Sequence, residues 1–117
     1  MIIIHYQILH EFFYYIMLLI IFHLIGDFVF QPTYVVSGKE DFENKNIDHK
    51  WWIISHSSLH GFLVLLATGV DILALLEIFV HSSTDYFKCK GKYSFSTDQI
   101  IHFASKIVWS YIAYIIN

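Results

Sequence analysis

The chain has 117 residues, is 56% hydrophobic and 19% aromatic, and carries only 15% charged residues, a formal net charge of −3 and a single cysteine. That is enough chain for one domain, and it is too apolar and too poor in charge for an ordinary soluble one. All seven basic residues are Lys, which with the weak negative charge argues against nucleic acid; one cysteine excludes an internal disulfide and a multi-thiolate zinc site.

The first apolar run covers residues 12–30 and is close to the ~20 residues that span a bilayer. It has no basic leader and no small-residue cleavage site, so it reads as a span and not as a cleaved signal peptide. It carries His23 and Asp27. A polar loop follows from Gln31 to Lys50, with the helix breakers Pro32 and Gly38 and with Lys39, Lys45 and Lys50. A second helix is expected over 51–69, carrying His56 and His60. A tight turn at Gly69-Val70-Asp71 leads into a third over 72–88, carrying His81 and Asp85. A loop from Cys89 to Thr97 adds Lys90 and Lys92, and a fourth helix over 98–116 opens with Asp98 and His102. Trp51, Trp52, Tyr86 and Tyr93 stand near helix ends, where interfacial aromatics belong. The expected architecture is all-α, a single integral-membrane four-helix bundle with the lipid bilayer as its main partner. Nearly every Lys lies in the first and third loops, which places those loops in the cytoplasm and both termini outside it.

Each expected helix thus carries two metal-type ligands four residues apart, on one helix face. The pairs occupy the ends of helices one and three and the starts of helices two and four. Antiparallel packing brings all of them into a slab roughly 0–14 Å below the cytoplasmic surface, at ~1.5 Å per residue. Polar groups in an apolar helix are costly unless they face a protein interior, a cavity or an ion. Taken singly, each pair has a plainer reading: an interhelical hydrogen bond, or for Asp98 a cap or early-turn acid. Taken together, His23, Asp27, His56, His60, His81, Asp85, Asp98 and His102 point to one centre for a divalent ion, with zinc first and manganese or iron as alternatives. Eight ligands exceed the needs of one ion, so two ions, or one ion with a supporting shell, both fit. His56-Ser-Ser-Leu-His60 lacks the Glu of the zincin peptidases.

Deeper in the bundle, Glu77 and Lys106 fall at one depth, one turn from His81 and His102, and are expected to pair. Gly26 and Gly61 allow close helix approach. Gln31 and Gln99 can orient ligands or bind a polar substrate, and Lys88 can bind an anionic one. Lys88 and Lys90 flank Cys89 and could lower its pKa. His5, His10 and His49 lack the pairing and are expected at the surface.

In order, His23-Leu-Ile-Gly-Asp27-Phe-Val-Phe-Gln31-Pro32, His56-Ser-Ser-Leu-His60-Gly61, His81-Ser-Ser-Thr-Asp85 and Asp98-Gln99-Ile-Ile-His102 resemble the small bacterial and phage membrane proteins grouped as domain of unknown function 3307. The likeness runs from Leu19 to His102. It implies a multi-pass membrane protein and supplies no activity. A weaker likeness, through HxxxH and HxxxD, is to membrane-bound metal-dependent hydrolases.

The residues therefore suggest a membrane-embedded metal-dependent hydrolase of a lipid-linked or phosphate-containing substrate, with Asp27 or Asp98 as general base and Lys88, Lys90 and Lys92 drawing in a head group. The alternative is a non-enzymatic helper, or an ion- or proton-handling protein whose His/Asp network is structural. A conduit would continue its polar stripe to the outer face, and here the stripe stops at Glu77 and Lys106 unless a homo-oligomer builds the path.

Overall fold

A computed structural model describes residues 2–117, with side chains from Gln7 onward apart from Ile8. The described chain is all-α. Helix α1 (Ile2–Leu24) runs on through a π-helical turn (Ile25–Val29), and α2 (Thr33–Glu40), α3 (His49–Thr68), α4 (Asp71–Cys89) and α5 (Phe95–Ile116) follow. The long helices α1, α3, α4 and α5 close a ring in which α1 packs on α3 and α5, and α4 packs on the same two. Helix α2 lies against α3 and reaches α4.

The element ends follow from local chemistry. Asp48 Oδ1 accepts from the Lys50 N–H at 2.9 Å and caps α3, as Ser94 Oγ accepts from the Thr97 N–H at 3.2 Å and caps α5. The α3–α4 turn is as tight as expected. Gly69 takes the left-handed conformation at φ 69°, and its N–H bonds the Leu65 carbonyl at 2.8 Å. Pro32, with no N–H to continue a helix, separates the π turn from α2.

Three expectations change. Helix α1 starts at Ile2 and not at residue 12, because the polar residues before 12 end the apolar run without breaking a helix. Helix α5 likewise starts at Phe95, after its Ser94 cap and three residues before Asp98. The segment expected as a loop from Gln31 to Lys50 contains α2, so the described chain has a fifth helix beside the four expected.

The interior inverts the order of a soluble domain. Sixteen buried side chains are polar or charged and ten are apolar among the described residues, while Phe13, Met17, Phe62, Leu75, Phe79 and Ile107 face outward. A small apolar core of Leu19, Val64, Ala67, Val70, Leu73, Trp109 and Ala113 gathers towards the α3–α4 turn. Polar side chains fill the other half. Leu9–Val29 and Phe95–Ile116 are each long and apolar enough to cross a membrane.

Candidate metal centre

The four pairs meet. Asp27, carried by the π turn, is the hub. Its Oδ1 lies 3.1 Å from His56 Nε2, 2.9 Å from His60 Nε2 and 3.7 Å from His81 Nε2. Its Oδ2 faces the other way, 3.3 Å from His23 Nε2. His60, His81 and His102 stack face to face, with ring centroids 3.8 Å and 4.1 Å apart. Asp98 Oδ1 lies 3.3 Å from His102 Nε2, and Asp85 Oδ1 lies 3.7 Å from it. All eight side chains are buried or nearly so, Asp27 being the most open at 8%.

Local sequence makes this convergence possible. A π turn widens the helix by one residue and is frequent at functional sites; here it presents Asp27 to α3 while His23 faces α5. A Cβ at Gly26 would stand 2.6 Å from the His60 ring, so only glycine lets α3 this close. Gly61 has the same role towards Ile78 of α4.

A second layer holds the imidazoles. Glu77 Oε1 lies 3.2 Å from His81 Nδ1, which leaves His81 Nε2 directed at the Asp27 and Asp85 carboxylates. This carboxylate-behind-histidine arrangement is how proteins orient metal ligands. Glu77 in turn pairs with Lys106, as expected from their depth, and accepts from Trp109 Nε1 at 2.7 Å. Gln99 Nε2 donates to Asp27 Oδ2 at 3.0 Å and to Asp98 Oδ2 at 3.2 Å, while its Oε1 lies 3.0 Å from His23 Nε2. Gln99 thus bridges His23, Asp27 and Asp98.

The donor set fits a metal ion. His60 Nε2, His81 Nε2, His102 Nε2 and Asp98 Oδ1 are buried and lack a hydrogen-bond partner among the described residues, so inward-facing lone pairs are left unused. His60 Nε2 approaches Asp27 closely but without hydrogen-bond alignment. Asp27, His56, His60 and His81 offer one ligand atom each, all within 4.8 Å of one another; so do His23, His81 and His102, and also Asp27, Asp98 and His102.

A cavity of about 410 Å3 opens beside the cluster, lined by Gln31, Lys39, Lys88, Cys89, Tyr93 and Phe95 among others. Lys39 Nζ donates to Asp85 Oδ2 at 2.7 Å. Lys88 Nζ stands 3.9 Å from Asp85 and 3.6 Å from Asp98. Two ammonium groups thus separate the cavity from the carboxylates. Gln31 Nε2 donates to the Asp27 carbonyl at 3.0 Å and braces the π turn.

Several sequence expectations are corrected. Lys39, expected as a loop lysine, is buried on α2. It was detectable as the third member of a Val35, Val36, Lys39 stripe with helical spacing behind Pro32. Trp109 was also missed, although it follows Lys106 at the i+3 position of the same face. His49 is not a surface residue: its ring packs 4.2 Å from that of Phe42 and stacks 5.9 Å from that of Tyr86. His10 is exposed as expected, and the expectation for His5 lies outside the described side chains. Burial pushes the Cys89 thiol up and outweighs the lowering by Lys39 and Lys88, so the net direction is opposite to the one expected from its neighbours. Lys90 lies over the Phe42 and Tyr86 rings, and the cavity takes its second lysine from α2 instead.

Residues 15–117 match the model of a family whose description is "Protein of unknown function (DUF3307)". No curated protein matches the chain, and no solved structure does.

Proposed function

The chain belongs to the DUF3307 family of proteins of unknown function, and from that premise we propose, on its own site, that it is a membrane-embedded, metal-dependent hydrolase acting on an anionic amphiphile. The observation that carries the reading is the nest around Asp27 Oδ1, where the Nε2 atoms of His56, His60 and His81 converge at 3.1 Å, 2.9 Å and 3.7 Å. Three imidazoles and one carboxylate suit a first-row divalent ion, zinc above all. An ion held there would polarise a substrate oxygen and acidify water.

The chain's own residues supply the rest. His81 is fixed by Glu77 and so presents one nitrogen only. Asp27 has the surroundings of a ligand, which leaves Asp85 and Asp98 to receive a proton from the attacking water. Lys39 and Lys88 sit between the cavity and those carboxylates and would draw in a phosphate or carboxylate head group. Gln31 Oε1, buried and without a partner among the described residues, is the acceptor left to position it.

In this reading α1, α3, α4 as far as Lys88, and α5 cross the bilayer, with α2 and the α4–α5 loop on the cytoplasmic side. Polar side chains inside and large apolar ones outside support it, as do exposed Lys45, Lys50, Lys90 and Lys92 at one end of the bundle. An amphiphile would then reach the cavity from the cytoplasmic leaflet.

The test is turnover by full-length protein in detergent, stripped with a chelator and reloaded with Zn, Mn or Fe, against phosphate- and carboxylate-ester amphiphiles. Hydrolysis that needs the metal and falls at least 100-fold in Asp27→Asn is expected, by analogy with the loss from removing one key catalytic interaction. Hydrolysis indifferent to chelation and to Asp27→Asn would contradict the reading.

A further inference from the structure

The two oxygens of Asp27 face two different groups of ligands. Oδ1 faces His56, His60 and His81. Oδ2 faces His23 and, through the Gln99 amide, Asp98. On that second side, Asp27, Asp98 and His102 offer ligand atoms within 4.8 Å of one another. Asp98 and His102 are fully buried. Asp98 Oδ1 and both ring nitrogens of His102 have no hydrogen-bond partner among the described residues. Asp98 Oδ1 and His102 Nε2 lie 3.3 Å apart without hydrogen-bond alignment; burying them this deeply with no aligned hydrogen bond is costly, and a shared cation removes that cost.

From these observations we infer a second metal site on Asp98, His102 and Asp27 Oδ2, so that Asp27 bridges two ions. The inference rests on the Asp27, His56, His60 and His81 centre proposed above and deepens it. Carboxylate-bridged ion pairs serve to clamp the attacking and leaving oxygens of a displacement at phosphorus. The local charge agrees with that substrate class. Four buried carboxylates, Asp27, Glu77, Asp85 and Asp98, stand against the ammonium groups of Lys39, Lys88 and Lys106. That leaves one excess negative charge when the imidazoles are neutral. One divalent ion reverses the sign, and two leave a surplus that a phosphate group offsets.

The substrate class is therefore a phosphoester on an amphiphile. The water oxygen bonds to phosphorus and the P–O bond to the leaving group breaks. One proton passes from the water to Asp85, the carboxylate outside both ligand groups, and on to the leaving oxygen. Lys39 and Lys88, at the cavity side of Asp85, hold the remaining phosphate oxygens.

The decisive measurement is manganese binding and electron paramagnetic resonance on the full chain in detergent, wild type beside Asp98→Asn. Two Mn per wild-type chain with an exchange-coupled spectrum are expected, and one Mn with an uncoupled six-line spectrum in Asp98→Asn. Should the variant not fold, the wild-type spectrum decides alone. One uncoupled Mn per wild-type chain would overturn the second site and leave the first standing. No binding of Mn or Zn to the wild type would overturn both.

Discussion

At the scale of single residues, the molecule is organised around buried polar groups that lean on one another. Glu77 is the pivot. It touches His81, Lys106 and Trp109 at once, and neither Glu77 nor Lys106 is open to solvent. Removing one partner of such a pair leaves an uncompensated charge and costs about 3–5 kcal/mol, whereas replacing both with neutral groups of similar shape is often neutral. Glu77→Ala is therefore expected to lower the thermal unfolding midpoint in detergent sharply, and Glu77→Gln/Lys106→Met to recover most of it. A single variant as stable as wild type would show that the pair does not hold the bundle. The pairing itself was readable from the sequence, because counting turns from two helix ends puts both charges at one depth. Trp109 was not read, because a tryptophan in an apolar helix looks like core until a carboxylate is found beneath its N–H.

At the scale of elements, what could be read depended on whether the signal was periodic. The four ligand pairs were legible because i, i+4 spacing fixes a helix face without any tertiary information. The meeting of those faces followed from alternating helix direction. Two features carried no such signal. The π turn that carries Asp27 depends on one extra residue in a helical turn, and nothing in Ile25-Gly26-Asp27-Phe28-Val29 distinguishes it from ordinary helix. Helix α2 was concealed by Pro32, Gly38 and a run of charges, all of which speak for a loop. Its position is set instead by contacts distant in sequence: Lys39 bonds Asp85 of α4, and Tyr34 packs 6.0 Å from the Trp52 ring of α3. A loop lysine marks the cytoplasmic side by count alone, and that count does not separate the same residue type folded back into the centre, as Lys39 is. Helix α2 and Gln31, two residues past the π turn, line the cavity, so the part of the site proposed to meet a substrate was the least legible.

At the scale of the whole molecule, polar residues inside and apolar residues outside are the arrangement that a bilayer stabilises. The proposed topology is open to direct test. In a Cys89→Ser background, a cysteine replacing Asn44 is expected to react with a membrane-impermeant maleimide only from the cytoplasmic side, and one replacing Asn117 only from the opposite side. Labelling of both from the same side would contradict the four-span reading. The central claim is that the converged His/Asp cluster holds metal. Elemental mass spectrometry of detergent-purified protein, wild type beside His56→Ala/His60→Ala, tests it most directly. Stoichiometric Zn, Mn or Fe is expected in the wild type, with its loss in the folded double variant. A wild-type protein that folds and binds none, even when the ions are supplied, would contradict it and leave the cluster as a hydrogen-bonded polar core.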